Sequence, residues 1–130
     1  MDDWRVTPVL IVRDAADSLA YYRDCLQFDV IGKLGSPAEM AFVGRRGIQI
    51  MLQGAEGRPT PGPNHRYKSV AWDVLVGVRD VRALHAEFAE RGAKIRAGPH
   101  VTFYGHTEIE VADPDDHVIC FSEPPAPRER

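Results

Sequence analysis

Cysteine is scarce: Cys25 and Cys120 are the only two in 130 residues, and they have neither CxxC spacing nor partners for a disulfide framework. A reduced, cytoplasmic setting is the expectation. Clustered positive charge is missing too. The 16 Lys and Arg are dispersed, only Arg45-Arg46 and Arg128/Arg130 stand close together, and the formal charge is −3. Phosphate backbones are held by grouped cations, so a nucleic-acid partner is excluded. No apolar run approaches the ~20 residues that span a bilayer, so no membrane partner is expected. The opening Met1-Asp2-Asp3-Trp4-Arg5 lacks the basic-then-apolar order of a signal peptide. With 44% hydrophobic and 27% charged residues, the rest reads as a globular chain long enough for one compact core.

What the chain does have is a repeat. Val12-Arg13-Asp14, followed by Leu19 and Tyr22, returns as Val78-Arg79-Asp80, followed by His85 and Phe88. The offset is 66 positions in both cases, 12 to 78 and 22 to 88. A unit built twice is expected to form a shared cleft where function resides.

Each copy reads β-α-β-β-β. Pro8 to Val12 is β-branched and apolar, a buried strand. A helix follows to about Leu26, capped by Asp14 or Asp17. Strands are expected at Phe28 to Ile31, Met40 to Val43 and Ile48 to Gln53, the last two joined by the turn Gly44-Arg45-Arg46-Gly47. Three prolines and two glycines between Gly54 and Lys68 mark a linker. In the second copy, strands are expected over 69–78, 94–96, 107–112 and 118–122, with a helix from Val81 to Arg91 stopped by Gly92. The organisation expected is a single domain, 1–123, with module one at 5–54, a linker at 55–68, module two at 69–123 and a mobile tail at 124–130.

Strand alternation sorts the side chains. Ile48, Ile50 and Leu52 oppose Gln49, Met51 and Gln53; Thr107, Ile109 and Val111 oppose His106, Glu108 and Glu110. Ile119 and Phe121 oppose Val118, Cys120 and Ser122, while Val70, Trp72, Val74 and Val76 oppose Ala71, Asp73 and Leu75. The purely apolar faces belong under the helices, Trp72 among them. The mixed faces suit the wall of a ligand cavity.

Residues 7–28, T-P-V-L-I-V-R-D-A-A-D-S-L-A-Y-Y-R-D-C-L-Q-F, resemble the opening of a vicinal oxygen chelate domain. This is the superfamily of glyoxalase I, bleomycin-resistance proteins and extradiol dioxygenases. Tyr104-Gly105 and E-I-E-V-A-D-P-D-D at 108–116 resemble its second signature. The likeness covers roughly residues 5–123. Two positions depart from it: Asp116 and Gln27 stand where glycine is usual. The resemblance implies an α+β fold of two paired βαβββ modules forming a curved mixed sheet around a cleft, assembled as a homodimer. In the metal enzymes of the superfamily, a divalent ion is held at positions that fall here on Thr7, Met51, Asp73 and Cys120. Only Asp73 is a good hard ligand, so no metal and no cofactor is expected there. An off-register set of Asp73, His106 and Glu108 is the remaining metal candidate.

Without a metal, the resemblance points to the bleomycin-resistance branch, which sequesters a drug unchanged. Asp73, Glu108 and Glu110 with Met51, Phe103 and Tyr104 would attract a flat or amphipathic cation. The expected ligand-binding set is Thr7, Gln49, Met51, Asp73, Tyr104, His106, Glu108, Glu110 and Cys120. A small-molecule partner, such as a cationic antibiotic, follows. The alternative is a lyase, isomerase or dioxygenase of the same superfamily acting on a small oxo or vicinal-oxygen substrate, with Asp73 or Glu108 as general base. His65, His85, His100 and His117 fall on loops or an exposed helix face and read as solvated.

Overall fold

The aspartate that ends each V-R-D does the same work in both halves. In the computed structural model, which describes residues 3–127, Asp14 Oδ1 accepts from the amides of Ala16 and Asp17 at 3.0 and 3.1 Å. Asp80 Oδ1 accepts from Ala83 at 3.1 Å. Both satisfy amides that the first helical turn leaves unpaired. The repeat is thus a strand end plus a helix cap.

The chain divides into two compact units, residues 1–62 and 63–130, with the boundary inside the expected linker. The first holds β1 (Val9–Val12), α1 (Ala15–Asp24), β2 (Asp29–Leu34), β3 (Met40–Arg45) and β4 (Ile48–Gly54). Its sheet runs β1-β4-β3-β2, with β1 parallel to β4 and the other pairs antiparallel. The second holds a short 3-10 turn (Asn64–Arg66), β5 (Val74–Gly77), α2 (Val81–Glu90), β6 (Lys94–Val101), β7 (Thr107–Ala112) and β8 (Val118–Glu123). Its sheet repeats the order, β5-β8-β7-β6. The fold is α+β, two βαβββ modules each carrying a four-stranded mixed sheet. Register confirms the equivalence: Val9 pairs with Met51, and Leu75, 66 positions after Val9, pairs with Cys120.

Each helix covers the apolar face of its own sheet. Tyr22 is fully buried and meets Phe28 edge-on at 5.7 Å, while Phe88, its repeat partner, is fully buried against Phe121 at 5.2 Å. Ile50, Leu52, Ile109, Val111 and Ile119 complete these cores. Burying each such side chain stabilises by roughly 1.5–3 kcal/mol.

Several expected boundaries move. β5 starts only at Val74, because Ala71 N–H closes a turn onto Lys68 O at 2.9 Å and the Asp73 carboxylate is drawn into that loop. Val70 is therefore exposed and Trp72 half-buried rather than core. β6 runs to Val101 instead of Arg96, bending past β7 through two register shifts. β2 reaches Leu34, and α1 stops at Asp24, where the Cys25 amide bonds Tyr21 O. Gln27 and Asp116, the two departures from glycine, both keep positive φ, 55° and 62°. The conformation survives there without the residue that takes it freely. In the tail, 124–127 are exposed and carry no helix or strand; Arg128 and Arg130 lie outside the described residues. Among the described residues no helix is long and apolar enough to cross a membrane.

Candidate functional site

Within module one, Thr7, Gln49 and Met51 are half-buried, and Val9 and Ile11 on β1 are exposed beside the Met51 and Gln53 face. Thr7 and Gln49 border an open groove of about 320 Å³ that also takes in Arg5, Arg45 and Arg46. The Arg45 guanidinium donates to Leu26 O at 2.8 Å, which fixes it. Among the described residues, Asp29 is the one acid lining this groove.

Module two brings five of the nine expected residues together: Tyr104, His106, Glu108, Glu110 and Cys120. β7 and β8 pair with Glu108 opposite Ser122 and Glu110 opposite Cys120. Alternation then puts Glu108, Glu110, Cys120 and Ser122 on one face. Glu108 is only 3% exposed, and a carboxylate taken out of water needs donors. It has them. Tyr104 Oη donates to Glu108 Oε2 at 2.7 Å, and Ser122 Oγ donates to the same oxygen at 2.8 Å. His106 Nδ1 sits 2.9 Å from Ser122 Oγ. The rings of Phe103, Tyr104 and His106 follow one another edge-on at 5.0 and 5.1 Å, with Phe103 fully exposed. An aromatic run thus leads from the β6–β7 turn to a buried carboxylate.

The turn positions this run. Gly105, at φ 87°, closes onto Thr102 O at 3.0 Å, and Thr102 Oγ1 accepts from the His106 amide at 3.1 Å. Donation to Glu108 pushes the Tyr104 phenol above its ordinary value of 10.0, with desolvation adding to the effect. A raised folded-state value means this contact is present below the unfolded phenol's value and lost as pH rises through the raised one. Ultraviolet difference titration of wild type against Tyr104→Phe should therefore show Tyr104 ionising above pH 10.0. Ionisation at or below that value would remove the contact from the account.

Cys120 lies fully buried on this face. Desolvation first, then the charges of Glu108 and Glu110, push its thiol far up, so it stays protonated. In the folded protein Cys25, which is half-buried, should alkylate at about pH 8 while Cys120 resists until denaturant is added. Mass spectrometry of the labelled peptides reads the order, and early Cys120 labelling would contradict it. Glu110 takes a different partner, Arg96 Nη1 at 3.3 Å, and that guanidinium also reaches Ser69 O at 3.3 Å.

Among the described residues, no bond joins Asp73 to this network. Its Oδ1 accepts from the Asn64 amide at 3.0 Å and its Oδ2 from the Val118 amide at 2.8 Å. Asn64 Nδ2 reinforces the loop by donating to Trp72 O at 2.9 Å. His117, expected to be solvated, is instead buried, 3.7 Å from Asp73, because its amide is folded onto Asp113 Oδ1 at 2.9 Å. His65 is half-buried, its Nε2 3.0 Å from Asp116 O. Ser122 was not among the expected site residues, although the β7–β8 hairpin already places it opposite Glu108.

The four family metal positions do not suit a divalent ion. Cys120 is a protonated thiol between two acids, Met51 offers a soft thioether, Thr7 a neutral hydroxyl, and both Asp73 oxygens are taken by amides. Nor does Asp73 meet His106 and Glu108 as a ligand set: no group of three or more His, Cys, Asp or Glu is gathered for a metal among the described residues.

Comparison with known proteins agrees with the architecture. The family model described as Glyoxalase/Bleomycin resistance protein/Dioxygenase superfamily matches residues 5–121. Among solved structures, TioX from Micromonospora sp. ML1 is similar with a TM-score of 0.74 at 17% identity, covering 93% of this chain and 98% of that one. TnmS3, an antibiotic binding protein from Streptomyces sp. CB03234, gives 0.68 at 22% identity over 95% and 98%. A member of the same superfamily from Sphaerobacter thermophilus DSM 20745 gives 0.71 at 19% over 93% and 97%. No curated protein matches the chain. At these identities the structures speak for the fold alone.

Proposed function

The chain belongs to the Glyoxalase/Bleomycin resistance protein/Dioxygenase superfamily, and from that premise we propose that it binds a cationic, partly aromatic small molecule without a metal and holds it unchanged. The observation that carries this is the buried Glu108 at the end of the Phe103–Tyr104–His106 ring series. A desolvated carboxylate attracts a cation more strongly than an exposed one, and ring faces hold its apolar body. A cationic antibiotic of the bleomycin type fits this chemistry, and the fold likeness to the antibiotic binding protein TnmS3 supports it.

Thermal-shift titration with such an antibiotic tests the reading. At a hundredfold excess over Kd, stabilisation should be about 2.7 kcal/mol, a rise of several degrees in Tm. Glu108→Gln should weaken binding about tenfold or more, because the charge is lost while the shape is kept. No shift with the antibiotic sinks the drug-binding reading. A stoichiometric divalent metal in protein purified without chelator sinks its metal-free part. Homodimerisation belongs to the proposal as well, supported by exposed apolar residues of the first unit, Trp4, Val6, Val9 and Ile31 among them. A monomeric mass by light scattering would remove it.

One observation favours a second reading. The line His106–Ser122–Glu108 resembles a proton-handling arrangement, as a lyase, isomerase or dioxygenase acting on a small oxo or vicinal-oxygen substrate would need. Protein-dependent exchange of the α-hydrogen of 2-oxo acids in deuterated water would support it.

A further inference from the structure

The hydrogen bonds around Glu108 decide where one proton sits, and that decides what a ligand must present. Ser122 has one hydroxyl proton and two polar neighbours, Glu108 Oε2 at 2.8 Å and His106 Nδ1 at 2.9 Å. A carboxylate only accepts, and a hydroxyl oxygen placed 2.8 Å from it without a proton between would be repelled. The Ser122 proton therefore points at Glu108. Tyr104 spends its own proton on the same Oε2 at 2.7 Å, so it offers nothing to His106. Ser122 Oγ is left as an acceptor, and Nδ1 of neutral His106 must carry the hydrogen. Its other nitrogen, Nε2, is then a bare lone pair. Nε2 lies on the opposite side of the ring from Ser122, has no protein partner among the described residues, and is not sealed from solvent.

We propose that His106 is the specificity-determining residue of this site: locked as the Nδ1–H tautomer by Ser122 and Glu108, it selects ligands that bring a protonated amine with an N–H to donate. This rests on the cation-binding reading above and narrows it. A quaternary ammonium satisfies charge and ring faces equally well but has no hydrogen for Nε2. The site is thus expected to discriminate among amines by hydrogen bonding, where a purely aromatic cage would not.

Three probes of one skeleton separate the possibilities: 2-(2-naphthyl)ethylamine, its N,N-dimethyl derivative and its N,N,N-trimethyl derivative, titrated against the wild-type chain by NMR. The first two, which keep an N–H when protonated, should bind alike, and the trimethyl compound about tenfold or more weaker. Equal affinity for all three overturns the inference and leaves the cation-binding reading standing. Binding by none sinks that reading and this inference with it. The tautomer is tested without any ligand, from the imidazole nitrogen-15 shifts of His106 at alkaline pH. Protonated Nδ1 in wild type and loss of that preference in Ser122→Ala support the assignment. A wild-type spectrum showing protonated Nε2 overturns it.

Discussion

Gly98→Ala should be strongly damaging, lowering the unfolding free energy by about 2–5 kcal/mol. Gly98 lies in β6 at φ 88°, and a Cβ there would run into the carbonyl oxygen of Glu108 on β7, with the Ile109 Cα 3.0 Å away. Both obstacles are backbone, so no side chain can swing aside. The strand must pull away from β7 or β7 must give. Either movement shifts the backbone that carries Glu108, so ligand binding should fall together with stability. Two controls separate the causes. Gly92 also has positive φ, 77°, but nothing lies within 4 Å of the added atom, so Gly92→Ala should cost only the conformational part, about 1 kcal/mol. Gly77 has neither constraint, and its alanine variant should be close to neutral. Urea unfolding of the three variants gives the order. A Gly98→Ala protein as stable as Gly77→Ala would mean the β6–β7 bend is looser than its geometry indicates.

That bend also marks where the sequence stops being informative. β7 reads directly from Thr107 to Ala112, and both helices start where Asp14 and Asp80 stand, because alternation and capping are local effects. The repeat could be read for the same reason, since Tyr22 and Phe88 fill equivalent places over equivalent sheets. β6 looked too short because Gly98 and Pro99 resemble a chain break; pairing with β7 carries the strand through them. β5 looked too long because Val70, Trp72, Val74 and Val76 alternate like a strand. A tertiary bond from Asp73 to Val118, 45 positions away, turns the first half into a loop. The site divides along the same line. Glu108, His106 and Tyr104 were visible as polar and aromatic residues on one strand and its turn. Ser122, which joins two of them, needed the pairing register of β7 with β8.

Asp73 is where the two levels disagree most, and its replacement gives the second large effect. By composition it is the one carboxylate of the repeat-related pair Thr7 and Asp73, hence a candidate general base. By geometry it is a staple. Its side chain is 6% exposed, and its two oxygens hold the amides of Asn64 and Val118, tying the 3-10 turn to the first residue of β8. Hydrogen bonds to a charged acceptor contribute about 1.5–3 kcal/mol each, so Asp73→Ala should lower the unfolding free energy by roughly 3–5 kcal/mol. Asp73→Asn keeps one acceptor but turns an NH₂ towards a backbone N–H, so it should recover no more than about half of that loss. Below their melting temperatures both variants should still bind the antibiotic close to wild-type affinity, because among the described residues the Tyr104–Glu108–Ser122–His106 network contains no bond to Asp73. Urea midpoints and binding titrations on the same samples settle the assignment. If Asp73→Ala unfolds like wild type but loses binding, Asp73 faces the ligand and the carboxylate at the head of β5 is functional. If stability falls and affinity holds, the acid that looked most like chemistry is architecture, and the working carboxylate is Glu108, one of the acids expected at the site, hydrogen-bonded by two neutral hydroxyl groups that leave its charge uncompensated.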